Sequence, residues 1–252
     1  MRILISPAKK MREDLDGFAP ESLPHFLAEA ERLKQLLQSM PPKELKSLWK
    51  CNDAIAALNI ERLADMDLRS RLTPAILSYE GIQYRYMAPG VFTAGQLEYI
   101  REHLRILSGF YGLLRPFDGV RPYRLEMQAK LPVDGHPNLY GFWGSKLADV
   151  LTGECRWVLN LASKEYSRAV APHLPSTLPM VTCVFGSEEK GRVVEKGTLC
   201  KMARGQMVRW LAENQVTQPE QLTQFDQLGY RFSPVHSTQT EFVFLQIQTG
   251  RD

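Results

Sequence analysis

Cysteine and histidine are scarce in this sequence, and the few present are scattered. There are four cysteines and five histidines in 252 residues. Cys51, Cys155, Cys183 and Cys200 lack the close spacing of zinc-knuckle ligands, and the histidines form no HxH or HExxH pattern. This pattern favours isolated thiols in a reducing cytosol. We therefore expect no metal site and no cofactor.

Long apolar runs are missing as well. Arg2 is followed by only three apolar residues, at 3–5, before Ser6 and Pro7, which is too short for the core of a signal peptide. No apolar run reaches the length of a membrane span. The sequence therefore predicts a cytoplasmic protein with no membrane partner.

Charge of one sign is not in large excess. The net charge is +3, from 31 basic and 28 acidic residues, which permits a nucleic-acid partner without arguing for one. Hydrophobic residues make up 44% and charged residues 23%, as in soluble globular proteins. Repeats, low-complexity tracts and flexible linkers are absent from the sequence. We expect one domain spanning residues 1–252.

Hydrophobic periodicity predicts an α+β fold: a single compact domain with a mixed central sheet flanked by helices. The predicted strands are 2–5, 75–79, 123–127, 157–161, 180–185, 192–195, 230–232 and 241–247. The predicted helices are 22–40, 42–49, 54–66 capped by Asp53, 93–106, 138–151, a helix capped by Ser163, 198–215 and 219–224. Strands from both ends of the chain are expected to share the sheet.

The stretch 107–127 combines rigid backbone, aromatic rings and positive charge. Gly109 and Gly112 permit a tight turn or the close approach of another group. Arg115 and Arg121 each precede a proline, which favours extended backbone and lets the guanidinium groups project. This composition suits the binding of an anion or a flat ring.

Basic residues follow the first predicted strand and recur in the last long helix. Lys9 and Lys10 lie where open α/β sheets tend to bind ligands, although the sequence by itself favours a solvated lysine pair after an edge strand. Lys201 and Arg204 share one helix face. Gly205 is unusual inside a helix and indicates a close approach by a backbone or ligand, or a kink.

The segment 160–166 is a predicted strand-to-helix junction. Such junctions present free backbone N–H groups at the positive end of a helix dipole, so Asn160, Ser163 and Tyr166 are candidate anion-binding residues. Glu165 is explained equally well by the preference for acidic residues in a first helical turn.

Six ordered motifs resemble the YaaA family of bacterial peroxide-stress proteins. They are ISPAK at 5–9, LSGxYGLLRPxD at 107–118, PYRLEM at 122–127, LYxFWG at 139–144, NLASxEY at 160–166 and KxARGxMxRW at 201–210. The resemblance covers nearly the whole chain. It implies a compact α+β fold outside the common superfolds, and a cytosolic protein that limits peroxide damage linked to free iron.

The resemblance also implies binding of duplex or distorted DNA, through a positively charged cleft and an element like a helix-hairpin-helix. Gly109 and Gly112 are the candidates for that hairpin, although its two glycines are normally one residue closer together. Met202 and Gln128 stand where the family often has lysine and glycine. Losing one cation should lower the affinity for phosphate.

The first functional hypothesis is a DNA-binding stress protein, with cations on phosphate and aromatic rings on unpaired bases. The candidate nucleic-acid or anion-binding residues are Lys9, Gly109, Gly112, Arg115, Arg121, Tyr123, Arg124, Asn160, Ser163, Tyr166, Lys201, Arg204 and Arg209.

The alternative is an enzyme acting on a small anionic or nucleobase-like substrate. Glu126 is then the proton-transfer group, and Lys9 or Lys201 is the electrophilic partner or the nucleophile. In a third interpretation the motifs only pack together, although Arg124 and Glu126 are not expected to pair with each other. The sequence leaves the substrate and the oligomeric state open.

Overall fold

The fold is built from twelve strands and ten α-helices, which a computed structural model describes for residues 1–247. The strands are β1 (Arg2–Ile5), β2 (Lys10–Met11), β3 (Thr73–Pro74), β4 (Tyr79–Glu80), β5 (Leu104–Ser108), β6 (Gly112–Leu114), β7 (Gly119–Val120), β8 (Val158–Asn160), β9 (Met180–Glu189), β10 (Arg192–Val194), β11 (Tyr230–Phe232) and β12 (Glu241–Gln246).

The helices lie between these strands. They are α1 (Leu27–Ser39), α2 (Pro42–Trp49), α3 (Asp53–Ala64), α4 (Ala75–Ser78), α5 (Ile82–Met87), α6 (Ala94–His103), α7 (Leu139–Trp143), α8 (Lys146–Glu154), α9 (Lys164–Ser167) and α10 (Gly197–Glu213). Short 3-10 helices occupy Pro89–Val91, Ala171–His173, Pro219–Gln224, Gln227–Gly229 and Pro234–His236. No helix within residues 1–247 is long and apolar enough to cross a membrane.

A mixed sheet of eight strands forms the centre of the molecule. Its order is β11-β12-β9-β8-β1-β5-β6, with β10 beside β9. The run β12, β9, β8, β1 and β5 is parallel, whereas β6, β10 and β11 pair antiparallel to their neighbours. Ile3, Leu4 and Ile5 are fully buried in the central strand. The prediction of a mixed sheet in one α+β domain, with strands from both chain ends, is confirmed.

Parallel pairing brings several strand ends to one edge of the sheet. Leu4 of β1 is paired with Arg105 of β5 and with Asn160 of β8. The carboxyl ends of these three strands therefore meet at the same edge. The chain leaves that edge through residues 6–10, 109–111 and 161–163, which places three of the sequence motifs close together.

Two predicted strands are wrong. The first four residues of the apolar run 75–79 form the short helix α4, and only Tyr79 and Glu80 are extended, paired with Lys10–Met11. A short run that is buried on all sides has no periodicity to separate strand from helix. Residues 123–127 form no strand, and this segment packs instead against the backbone of Gly109.

Several predicted helix boundaries also need correction. The helix predicted at 93–106 ends at His103, and Leu104 begins β5. The helix predicted at 138–151 breaks at Gly144, whose φ is +48°, so α7 and α8 are separate. The first long helix begins at Leu27 instead of residue 22. Asn52, not Asp53, caps α3, because its side chain accepts a hydrogen bond from the Ile55 N–H.

Candidate functional site

Two serines meet where the central parallel strands end. Ser6 follows β1 and Ser163 follows β8. The Ser163 N–H donates to Ser6 Oγ at 2.9 Å, and the Ser6 hydroxyl lies 3.3 Å from Ser163 Oγ. The Tyr84 hydroxyl donates to the Ser6 carbonyl oxygen at 3.0 Å. These bonds hold the two hydroxyl groups and the Tyr84 ring at the strand ends.

Lys9 and Glu126 form an ion pair beside these serines. Lys9 Nζ lies 2.9 Å from Glu126 Oε2; the lysine side chain is 66% exposed and the glutamate 17%. Arg124 Nη2 lies 3.7 Å from the other carboxylate oxygen, Oε1. The expectation that Arg124 and Glu126 do not pair is therefore wrong, because residues 123–127 are not a regular strand and the two side chains converge.

Gly109 explains why Glu126 reaches this position. A Cβ at Gly109 would stand 2.6 Å from the Leu125 carbonyl oxygen and 3.0 Å from the Glu126 carbonyl carbon. Only glycine permits so close an approach by another backbone. The motif glycine therefore seats the segment that carries Glu126.

The opposite wall is the contact between α5 and α10. A Cβ built on Gly205 would lie 2.1 Å from the Gln83 carbonyl oxygen, so the glycine lets the two helices touch. Lys201 and Arg204 precede it on α10, and both line the same cavity as Gln83. Arg204 Nη2 contacts Glu195 Oε2 at 3.3 Å. Of the explanations for a glycine in this helix, the structure shows the close approach of another backbone.

These groups enclose a cavity of about 380 Å³, which we call the strand-end cavity. It is lined by Ser6, Pro7, Ala8, Lys9, Lys10, Glu80, Gly81, Ile82, Gln83, Tyr84, Glu126, Ser163, Glu165, Tyr166, Lys201 and Arg204.

Charges of both signs face the strand-end cavity. Its lining includes four cationic and three acidic residues. Burial raises the pKa of the Glu165 carboxyl, and the nearby Glu126 carboxylate adds to that rise. Glu165 therefore holds its proton to a higher pH than a free glutamate, which makes it a candidate proton donor.

The family of the chain follows from its relatives. Residues 1–236 match the family described as Peroxide stress protein YaaA. The chain belongs to this family. It is similar to UPF0246 proteins of Pediococcus pentosaceus (50% identical), Lachnoclostridium phytofermentans (49%) and Desulfitobacterium hafniense (51%), each over 246 residues. These alignments cover 98% of this chain and 96–98% of each relative.

Many of the family motif residues converge on the strand-end cavity. Lys9, Glu126, Ser163, Tyr166, Lys201 and Arg204 line it. Arg124 lies behind Glu126. Asn160 is buried at the end of β8, where its side-chain oxygen accepts a hydrogen bond from the Ala162 N–H at 3.0 Å and so shapes the turn before Ser163.

Tyr123 lies in a buried hydroxyl network beneath the cavity. Its hydroxyl is 2.6 Å from Ser108 Oγ and 2.9 Å from the Tyr79 hydroxyl, and its ring stacks on Phe110. Burial raises the pKa of Tyr123 to about 12, so the group is neutral near pH 7. Tyr123 does not line the cavity. Its hydrogen bonds to Ser108 and Tyr79 stabilise the buried residues behind the cavity wall.

Three predicted anion-binding arginines lie elsewhere. Arg121 is buried, with Nη2 3.1 Å from Glu13 Oε1. Arg209 pairs with Glu213 on its own helix at 2.8 Å. Arg115 is exposed in the turn after β6. None of them lines the strand-end cavity, because proximity in sequence to a motif does not fix the direction of a side chain.

The structure also corrects the assignment of Gly109 and Gly112 to a hairpin between two helices. Gly109 and Gly112 lie in the buried turn between β5 and β6, which is a hairpin of strands and not of helices. Gly112 has φ +73° and packs against the Trp143 ring.

The junction at Ser163 also differs from the prediction, since α9 is a single turn and the Ser163 N–H is already bonded to Ser6.

Sequence reasoning missed Ser6, Gln83 and Glu195. Ser6 lies inside the first motif and directly follows a predicted strand, and these two features could have marked it as a candidate site residue. Gln83 follows the wrongly predicted strand 75–79, and no pattern marks it. Glu195 reaches Arg204 only through the fold, from the segment after β10.

Two larger depressions are among the others on the surface of the described residues. One, of about 490 Å³, adjoins the strand-end cavity and shares Lys10, Glu80, Gly81 and Tyr84 with it. The larger one, of about 620 Å³, is lined by residues of α1 and by residues 132–137 and contains no residue of the predicted site. Within residues 1–247, no three His, Cys, Asp or Glu side chains are grouped to hold a metal ion.

Proposed function

We propose that this peroxide-stress protein binds a small anionic or nucleobase-like ligand in the strand-end cavity and moves a proton to or from it. The observation that carries the proposal is the 2.9 Å contact between Lys9 Nζ and Glu126 Oε2 at the wall of a cavity of about 380 Å³. Concave sites of this size class, with a few convergent polar groups, are typical of small-molecule binding.

The side chains support acid–base chemistry. The Glu126 carboxylate accepts a proton from the ligand, and the Lys9 ammonium stabilises the negative charge that develops. Glu165, whose pKa is raised, donates a proton to the ligand in the same reaction. Lys201 is the second candidate for the electrophilic partner or nucleophile, since it lines the same cavity.

Binding tests this proposal directly. Inorganic phosphate and a panel of nucleoside monophosphates are added to the wild type, to Lys9→Met and to Lys43→Met, an exposed control on α2. We expect at least one probe to stabilise the wild type and the control, and Lys9→Met to bind it about tenfold more weakly, because one charged contact is lost. A wild type that no probe stabilises contradicts the proposal.

DNA binding is the second candidate function. It is favoured by the exposure of Lys9, Lys10 and Lys201 around the cavity, the first two at 66% and 78%. Lys9 and Lys10 already contact carboxylates, and three of the seven predicted phosphate contacts lie elsewhere. We therefore propose a small phosphate-binding rim in place of a long basic cleft, one that accepts distorted DNA with an unpaired base.

Salt dependence tests the DNA proposal. Anisotropy with duplex and bubble DNA, measured over a range of salt, should give a log–log slope of about −2 to −3, because about three lysines meet phosphate. Bubble DNA should bind more tightly than duplex. A binding constant that does not change with salt contradicts the DNA proposal and leaves the cavity proposal standing.

By either mode, we propose that the chain limits peroxide damage linked to free iron, as the family resemblance implies. Support comes from the match to the peroxide-stress family over residues 1–236. The cavity brings together residues from four of the six motifs that carry this resemblance. The survival measurement that closes the Discussion tests this link.

A further inference from the structure

Two buried donors in the cavity wall have no partner among the described residues. They are Gln83 Nε2 and Arg204 Nε. Gln83 is only 6% exposed. Just two other buried side-chain atoms within residues 1–247 share this condition, and one of them, Arg124 Nε, belongs to the arginine behind Glu126. Buried polar groups are normally hydrogen-bonded, so this clustering indicates a ligand that supplies acceptors.

The two donors are held rigidly. The contact between Gly205 and the Gln83 carbonyl fixes the spacing of α5 and α10. Arg204 Nη2 is anchored to Glu195 Oε2 at 3.3 Å. The Glu195 carboxylate offsets the charge of the Arg204 guanidinium, so Gln83 and Arg204 together offer hydrogen-bond donors with little net charge. A neutral acceptor, such as a carbonyl oxygen, suits it better than an anion.

Other residues of the lining differ from this donor pair in charge and in exposure. Lys9 and Lys10, which follow β1, are largely exposed, and Lys201, three residues before Arg204 on α10, has no ion-pair partner in the described part of the chain. Such a cluster suits a phosphate group. Tyr84 and Tyr166 add aromatic rings to the lining, and aromatic rings stack on flat bases.

We propose that Gln83 and Arg204 bind the carbonyl edge of a nucleobase while the lysines hold its phosphate. The ligand class is a nucleoside monophosphate unit, either free or at an unpaired position in a strand. This proposal rests on the proposed function and names the ligand of the same cavity. Gln83 is then a specificity-determining residue that no motif marks.

Calorimetry with three probes tests the proposal: uridine monophosphate, uridine and ribose 5-phosphate. We expect uridine monophosphate to bind the wild type most tightly. Gln83→Met should bind uridine monophosphate and uridine about tenfold more weakly than the wild type does, because the side chain no longer donates a hydrogen bond to the edge of the base. Its affinity for ribose 5-phosphate, which has no base, should be unchanged. Gln206→Met, on α10 outside the cavity, is the matched control and should bind all three probes like the wild type. A single-stranded oligouridine compared with the free nucleotide distinguishes the two sources of the unit.

Stability without ligand gives an independent readout. Gln83→Met should have a Tm no lower than that of the wild type, because it replaces an unpartnered buried donor by an apolar group of similar size. A lower Tm would show a structural role and overturn the inference. Equal binding of uridine monophosphate by Gln83→Met would overturn it too and leave the cavity proposal intact. If the wild type bound none of these three probes, this inference would fail; the cavity proposal would fail with it only if inorganic phosphate and the other nucleoside monophosphates did not bind either.

Discussion

At the scale of single residues, Glu165 shows how the cavity wall controls protonation. Burial raises its pKa, and the neighbouring Glu126 carboxylate raises it further. Because the folded pKa lies above the unfolded one, the group contributes its full stability below the unfolded pKa. That contribution is lost as the pH rises through the folded pKa. Glu165 thus destabilises the free protein near neutral pH, as expected of a functional group.

Glu165→Gln removes this pH dependence. The amide keeps an oxygen that can accept the Gln128 N–H, a bond of 3.3 Å in the wild type. We expect the free energy of unfolding of Glu165→Gln to rise relative to wild type between about pH 4 and pH 7. Urea unfolding at both pH values measures it, with the exposed Glu220→Gln as control. A difference that does not change with pH would contradict the account.

The hydroxyl of Tyr123 gives a second prediction at this scale. It connects Tyr79 and Ser108 in a fully buried network. Tyr123→Phe should lower the free energy of unfolding by about 1–3 kcal/mol, because buried partners lose a hydrogen bond. Tyr86→Phe is the control, since the Tyr86 hydroxyl bonds to no group in the described range. Equal stability of the two variants would show that the network is not what supports the cavity wall.

At the scale of elements, the cavity depends on the contact between α5 and α10. Gly205→Ala would place a methyl group 2.1 Å from the Gln83 carbonyl oxygen and force the helices apart. We expect a loss of about 2 kcal/mol or more, despite the higher helix propensity of alanine. Gly95→Ala on α6 has open space and should gain at most about 1 kcal/mol. Thermal unfolding of the pair measures both; a stabilised Gly205→Ala would contradict the structure.

The elements also show where sequence reasoning works and where it ends. Arg2–Ile5 and Val158–Asn160 were predictable because buried parallel strands appear as uninterrupted apolar runs. The run 75–79 is equally apolar, yet most of it is helical, and only tertiary contacts decide between the two forms. Residues 123–127 alternate like a strand but pack on Gly109 without a ladder.

The candidate site was predictable to a similar degree. Lys9, Glu126 and Lys201 were found because each lies in a conspicuous motif, and parallel strands bring such segments to one edge. Arg121 lies directly before the motif at 122–127, but it turns inward to Glu13. Gln83 has no sequence signal at all, since its importance comes from burial without a partner. The direction of a side chain, and whether its hydrogen-bond donors find partners, depend on tertiary packing and cannot be read from the sequence.

At the scale of the whole molecule, the net charge is +3, and several basic residues away from the cavity are paired with carboxylates. Arg2 and Arg105 share Glu154 on the sheet, at 2.8 and 2.7 Å, and Arg209 pairs within its own helix. The cations left at the strand-end cavity are few and mixed with carboxylates. This distribution favours a local ligand site over a long phosphate-binding groove.

The most direct test of the strand-end cavity is survival under hydrogen peroxide. The chain replaces the family member of a bacterial host, and wild type is compared at equal protein level with Glu126→Gln and with Arg209→Gln, whose side chain lies outside the cavity. We predict that wild type and Arg209→Gln restore survival and that Glu126→Gln does not. Full survival with Glu126→Gln would contradict the assignment of the cavity as the functional site.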